Sequence, residues 1–250
     1  MNICVIGSGS SGNSFLIEND EISILVDAGF SYKELKKRLS KIGKEINEIK
    51  AVIISHEHTD HIKGVEKLFR EEIPIFMNRA TYEFSDLRIK PTLFETNKKF
   101  LISDFEILPF RQEHDAIEPC GFTIEDIKTK KVVSIMTDLG KPNENNINAI
   151  KNSNAIIIES NHDIDMLING PYPYNLKQRI LSNKGHLSNI DASLFVKNNA
   201  TENLEKVVLS HLSKINNTHE LAFNTFMNLT NEKYKTYISK QYSTTELIKV

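Results

Sequence analysis

Residues 56–61 read His56-Glu57-His58-Thr59-Asp60-His61, so three imidazoles and two carboxylates fall within six positions. Neutral imidazole ligates zinc, iron or manganese, and a carboxylate beside it suits the harder ions. The run follows an apolar stretch, Ala51-Val52-Ile53-Ile54, and precedes apolar positions at helical spacing, Ile62, Val65, Leu68 and Phe69. The pattern predicts a buried strand that ends in ligating side chains at the mouth of a helix. His56 and His58 alternate as residues at a strand end do, so both can face one point. Asp60 and His61 fall on the following turn and can face a second point nearby. One ion rarely needs all four, so the spacing points to two ions. The competing reading is a polar helix start that is rich in histidine by chance.

More ligands must then come from other strand ends, and the chain has only eight histidines. His114 follows Phe105-Glu106-Ile107-Leu108-Pro109-Phe110. Asp138 closes Val132-Val133-Ser134-Ile135-Met136-Thr137 and precedes a Leu139-Gly140 turn signal. His211 closes Lys206-Val207-Val208-Leu209-Ser210. Each stands at the carboxyl end of an apolar run, where open sheets place their ligands. Alone, any one of them reads as an ordinary loop residue. Beside the run at 56–61 they read as a ligand set.

An HxHxDH run, a later lone histidine, a Thr-Asp-Leu-Gly aspartate and a late histidine after a strand occur here in that order. Over nearly the whole chain this resembles the metallo-β-lactamase fold hydrolases. The resemblance implies an α/β fold, the αββα four-layer sandwich. It also implies two divalent metal ions, manganese or zinc, with iron a further option. His56, His58 and His114 would hold one ion, Asp60, His61 and His211 the other, and Asp138 would bridge them. Asp27, in Ile24-Leu25-Val26-Asp27-Ala28-Gly29, resembles the family's first motif, a carboxylate that orients a ligand-bearing loop. A carboxylate on a ligating imidazole fixes its tautomer, which gives that role a physical basis. The alternative for Asp27 is a turn residue before Gly29.

Further segments resemble one branch, the YycJ (WalJ) group. They are Ser8-Gly9-Ser10-Ser11-Gly12-Asn13-Ser14, His114-Asp115-Ala116, Glu159-Ser160-Asn161-His162-Asp163, Gly170-Pro171-Tyr172-Pro173, Lys184-Gly185-His186-Leu187-Ser188-Asn189 and Leu209-Ser210-His211-Leu212-Ser213-Lys214. His219 departs from the pattern, following Asn216-Asn217-Thr218 where proline is expected. The group is described as DNA exonucleases related to the nucleases of this fold that process tRNA and degrade messengers. Phosphodiester hydrolysis expels an alkoxide, which departs well only if protonated, and a positioned imidazole can be the acid. By resemblance His186 is that acid and Glu159 its carboxylate partner. Asp60 joins them as a catalytic residue. His162 is a weaker candidate, structural or a phosphate contact. The alternative for His186 is a helix-entry residue before the cap region Ser188-Asn189-Ile190-Asp191. Ser8, Ser10, Ser11 and Asn13 offer hydroxyl or amide donors near the metals.

Two divalent ions about 3.5–4 Å apart lower the pKa of a bridging water and polarise the electrophile. The same hydroxide could open a lactam, so the metals do not choose the substrate.

Elsewhere the chain constrains class more than chemistry. Its 250 residues, 40% of them hydrophobic, suit one large domain spanning 1–250. No apolar run approaches the ~20 residues of a membrane span, and the first residues carry no basic, signal-type start. Cys4 and Cys120 read as core thiols of a reducing compartment, so the cytoplasm is expected. A net charge of −2 does not advertise a nucleic-acid partner, although two bound ions would add local positive charge. Lys177, Arg179 and Lys184 gather late in the chain, either as a grip on phosphates or as a solvated helix face.

Strand patterns fall at 2–6, 14–18, 22–26, 51–54, 75–77, 104–109, 120–125, 131–137 and 154–159. Helical patterns fall at 32–41, 143–151, 189–199 and 217–230. A doubly wound single sheet is the alternative fold, and Gly7-Ser8-Gly9-Ser10-Ser11-Gly12 looks like its dinucleotide loop. Such a loop must open a helix, whereas Asn13-Ser14-Phe15-Leu16-Ile17-Glu18 has strand character, so the glycines are expected to serve a hairpin. The reading is a cytoplasmic dinuclear phosphodiesterase, a DNA exonuclease preferring 5′ to 3′, with no membrane contact and no indication of oligomeric state. The alternatives are hydrolysis of a small cyclic or nucleotide diester, and a non-catalytic metal-binding module in envelope signalling.

Overall fold

A computed structural model describes residues 1–250. The strands are β1 (Asn2–Gly7), β2 (Ser14–Glu18), β3 (Ser23–Val26), β4 (Ile49–Ile53), β5 (Ile75–Asn78), β6 (Thr92–Phe94), β7 (Phe100–Ile102), β8 (Phe105–Arg111), β9 (Cys120–Asp126), β10 (Val132–Met136), β11 (Ala155–Glu159), β12 (Lys206–Ser210), β13 (Lys235–Ile238) and β14 (Ile248–Lys249). The helices are α1 (Tyr32–Ser40), α2 (Thr59–Ile62), α3 (Val65–Arg70), α4 (Arg79–Phe84), α5 (Glu144–Lys151), α6 (Ile164–Asn169), α7 (Tyr174–Ile180), α8 (Asn189–Asn199) and α9 (His219–Thr230).

The strands form two seven-stranded sheets, ordered β14-β1-β2-β3-β4-β5-β6 and β13-β12-β11-β10-β9-β8-β7. Each sheet joins an antiparallel part to a parallel one: β3, β4, β5 and β6 run parallel in the first, and β10, β11, β12 and β13 in the second. β8 pairs antiparallel with β9, and β9 with β10, so β8 points the same way as β10.

Period-two alternation explains the layering. In β1, Ile3 and Val5 enter a 23-residue core shared with Phe105, Ile107, Phe122 and Ile157 of the other sheet. Cys4 and Ile6 point the opposite way, onto Leu35 and Leu39 of α1 and Val65 and Leu68 of α3. On the far side, Ile156, Ile158 and Val207 meet Ala149 and Ile150 of α5, Val196 of α8 and Phe226 of α9. Helix, sheet, sheet, helix is the αββα sandwich, not a doubly wound single sheet.

Local chemistry sets the element ends. Ser31, Asn143, Ser188 and Thr218 each cap a helix by accepting a backbone N–H. The glycine-rich loop joins β1 to the antiparallel β2 without a helix, so it is not a dinucleotide loop. Gly9 and Gly12, at φ +141° and +154°, supply a turn that side-chain-bearing residues rarely adopt. Both cysteines are buried and unpaired, and burial pushes each thiol up to about 11, so they are inert core residues. No helix is long and apolar enough to cross a membrane.

Candidate metal centre

The candidate ligands converge at strand ends. His56 and His58 follow β4, Asp60 and His61 lie in α2, His114 follows β8, Asp138 follows β10, and His211 follows β12. Three residues within two positions of a strand end, Asp27, Asp138 and His211, hold left-handed backbones at φ 61°, 57° and 55°. Asp and His tolerate that region better than most residues, at a cost repaid by surrounding contacts.

His56, His58 and His114 each bring a ring nitrogen within 4.8 Å of the others. His56 Nε2 and His58 Nδ1 face each other at 3.0 Å. His56 Nδ1 is 2.9 Å from Ser55 Oγ, and His114 Nδ1 is 3.3 Å from the Gly185 carbonyl, leaving both Nε2 atoms for ligation. A second group joins Asp60, His61 and His211. Asp138 lies between the groups: its Oδ1 is 3.8 Å from His114 Nε2 and 3.5 Å from His211 Nε2, and its Oδ2 is 3.0 Å from His61 Nε2.

Carboxylates behind the rings set their tautomers. Asp27 accepts from His61 Nδ1 at 2.8 Å and from the Ser55 backbone N–H and hydroxyl. Glu159 accepts from His211 Nδ1 at 2.6 Å and His186 Nδ1 at 2.8 Å through one oxygen. Its other oxygen takes the backbone N–H of Leu139 and of Leu187, the residues following Asp138 and His186. Because a carboxylate only accepts, Nδ1 carries a proton in each ring, and Nε2 of His61 and of His211 is left for a metal.

Whether the donor set fits divalent ions can be judged from its unpaired atoms. Asp138 Oδ2 and His211 Nε2 are buried without a hydrogen-bond partner. Such atoms cost about 1–3 kcal/mol each unless satisfied, and a cation satisfies both. Imidazole nitrogens and carboxylate oxygens at strand ends match zinc, manganese or iron chemistry.

Charge divides the two groups. Burial, reinforced by the nearby His61 charge, holds His56 well below the ordinary histidine range, and burial lowers His114 too. Burial also opposes charge on His61 and His211, but carboxylates outweigh it. Asp27 and Asp138 push His61 well up, and Asp138 with Glu159 pushes His211 up to about 9. Against its burial, the charge of His211 and then His61 holds Asp138 well below the usual carboxylate range.

His186 stands on the loop between α7 and α8, its side chain 19% exposed. Ser188, two residues on, does cap α8, so helix entry and proximity to the ligands coexist. His162 is buried with both ring nitrogens unpaired, and burial lowers it to about 4. Asn13 brings its Nδ2 to 3.0 Å from His61 Nε2 and 3.2 Å from Asp60 Oδ2. Ser8 is buried beneath His211, whose backbone N–H it accepts at 3.0 Å, while Ser10 and Ser11 face solvent. Of the three late cations, Arg179 pairs with Asp115, Lys177 donates to the Ile168 carbonyl, and Lys184 is exposed.

Sequence reasoning missed three supports. Ser55 ties Asp27 to His56. Gly29 packs so closely that a Cβ would stand 1.7 Å from the Asp60 carbonyl oxygen. Asn189 and Asn217 knit Ser160 and Asn161 to the late loops. The position of Ser55 before His56, with Asp27 already singled out, was the one available signal.

Residues 7–118 match the family model described as the metallo-beta-lactamase superfamily. Exodeoxyribonuclease YycJ of Bacillus anthracis is 36% identical over 231 residues, 89% of this chain and 86% of that protein. Exodeoxyribonuclease WalJ of Streptococcus pneumoniae is 35% identical over 233 residues, 90% of this chain and 86% of that protein. Among solved structures, the metallo-beta-lactamase fold protein YhfI from Bacillus subtilis superposes with a TM-score of 0.75 at 20% identity. That superposition covers 98% of this chain and 99% of that one, a likeness of fold.

Proposed function

The chain belongs to the metallo-beta-lactamase superfamily, among its YycJ/WalJ-like hydrolases, and is a metal-dependent hydrolase; from that premise we propose a DNA exonuclease with a dinuclear centre, preferring 5′ ends. The observation that carries the phosphodiester reading is His186, an imidazole held on Glu159 beside the ligand groups. Two ions held by His56, His58, His114 and by Asp60, His61, His211, with Asp138 between, would supply a nucleophilic hydroxide at neutral pH and neutralise phosphate oxygens.

The chain's own residues do the rest. Burial opposes charge on His186, but Glu159 overcomes it by charge and hydrogen bond, keeping the ring protonated above the ordinary histidine range. With Nδ1 engaged by Glu159, Nε2 is the atom left to protonate the departing alkoxide. Asp60, steadied by Asn13, serves with His186 and Glu159 in catalysis. Asp27 and Glu159 keep the ligating rings aimed, and a misplacement of an ångström there would cost rate.

DNA as substrate rests on likeness to the two exodeoxyribonucleases, and the 5′ preference on the resemblance of the motifs to the family alone. A closed pocket would suit a small diester. Here the cavity lined by His186 and His211, about 150 Å³, shares Leu212 and Ser213 with a larger cleft, which favours a polymer. The whole of 1–250 is taken as one domain, since both sheets contribute to one core. The buried free thiols support a cytoplasmic setting.

The test compares linear DNA with covalently closed circular DNA of the same sequence, in Mn²⁺. Linear DNA should be consumed from its ends while the closed circle survives. Equal cutting of both, or cutting of RNA alone, overturns the exonuclease reading.

A further inference from the structure

A cleft of about 460 Å³ opens between the segment after β12 up to the first residue of α9, residues 212–219, and the segment after β13, residues 239–243. Not one of its twelve lining residues is a carboxylate, in a chain where acids outnumber Lys and Arg by 33 to 31. Its walls present Lys214, Lys240 and His219, with a hydroxyl from Thr218 and the amide of Gln241, one of whose N–H groups is taken by Ser11. Both lysines are exposed and neither enters a salt bridge. Of the three cations that the sequence offered for a grip on phosphate, Arg179 is paired with Asp115, Lys177 donates to a backbone carbonyl, and Lys184 is exposed but lies outside this cleft.

The cleft also carries an exposed aromatic. Tyr242 is 60% exposed, and Lys214 Nζ lies 5.7 Å from its ring centre. The cleft adjoins the metal centre. Ser8 in its wall accepts the His211 backbone N–H, and Leu212 and Ser213 line both the cleft and the cavity at His186 and His211. A carboxylate-free run of cations and neutral donors suits a polyanion, and a ring beside them suits an unstacked base. Duplex DNA keeps its bases stacked and would leave that ring idle.

We propose that single-stranded nucleic acid runs from the metal centre across Leu212 and Ser213 into this cleft, its phosphates on Lys214 and Lys240 and a base on Tyr242. This path rests on the nuclease reading above.

The test measures binding and turnover separately. Metal-free protein is titrated with a fluorescein-labelled oligothymidylate over a range of KCl, and Mn²⁺-loaded protein is assayed on bis(p-nitrophenyl) phosphate. The Lys214→Ala/Lys240→Ala pair should weaken oligonucleotide binding roughly tenfold or more and reduce the slope of log K against log salt by about 1.4, two phosphates at ~0.7 each. Tyr242→Ala should weaken binding roughly fivefold or more with the slope retained. Lys214→Arg/Lys240→Arg should bind like wild type, and all variants should keep turnover of the small diester. Unchanged binding and slope in the alanine pair, with wild type still degrading DNA, overturn the path alone. A wild type that hydrolyses the small diester but neither binds nor cuts DNA overturns the nuclease reading as well.

Discussion

His186→Ala should slow hydrolysis of an alkyl phosphodiester by roughly 10²–10⁴-fold, the usual worth of a positioned acid, while both metals stay bound. The ring is held by Glu159, 2.8 Å from its Nδ1, and stands 4.0 Å from Asp138 Oδ1, and it is not one of the seven assigned ligands, so its removal should leave the metal donors in place. A diester with a nitrophenolate leaving group should lose far less, because nitrophenolate departs without a proton. The pH profile carries the same signature. The protonated ring is the working form and Glu159 raises it, so activity on alkyl diesters should persist above the ordinary histidine value. It should then fall as the pH rises through the raised one, and the variant should lack that alkaline fall. Equal losses on both substrates would place His186 in binding or folding instead.

Glu159→Ala should have the largest effect on the protein as a whole. The carboxylate is fully buried and receives His186 Nδ1, His211 Nδ1 and two backbone N–H groups. Removing it strands all four donors, and breaking a buried pair of this kind costs about 3–5 kcal/mol. Affinity for the ion on the His211 side should fall about 10- to 100-fold, as when a carboxylate behind a ligating imidazole is lost. Although burial opposes its charge, His186 and His211 lower Glu159 from 4.5 to about 2. A depressed carboxylate contributes its full stability above its unfolded value and loses it as the pH falls toward 2. Urea denaturation of metal-free protein should therefore show a large stability gap between wild type and variant at neutral pH, shrinking as the pH drops from about 4.5. A variant with wild-type stability and metal affinity would remove Glu159 from the centre of the account.

The sequence disclosed most where one residue type served one purpose. Buried strands read as apolar runs, and candidate ligands were sought as histidine or aspartate at their ends. His56, His58, Asp60, His61, His114, Asp138 and His211 could therefore be proposed together, and the fold brings them into neighbouring groups. Short exposed elements were illegible. β6 and β7 are three residues each and β14 two, too short to show a period. Polar supports were hidden for another reason. Ser55, Asn189 and Asn217 act by contacts 28 or more residues away in the chain, which no local pattern records. Lys177, Arg179 and Lys184 were read as a phosphate grip or a solvated helix face because a sequence does not reveal that Arg179 pairs with Asp115 or that Lys177 donates to the Ile168 carbonyl.

Calorimetric titration of metal-free protein with Mn²⁺ or Zn²⁺, run near pH 7.5 in two buffers of different ionisation enthalpy, tests the dinuclear centre most directly. Burial keeps His56 and His114 neutral there, so an ion on their side should bind with little proton release. Carboxylates keep His61 and His211 charged, so the ion on their side must displace protons, and its affinity should rise about tenfold per pH unit for each proton displaced, up to about pH 9. The account predicts two ions per chain, one of them proton-releasing. Saturation at a single ion, with no proton released, would contradict it.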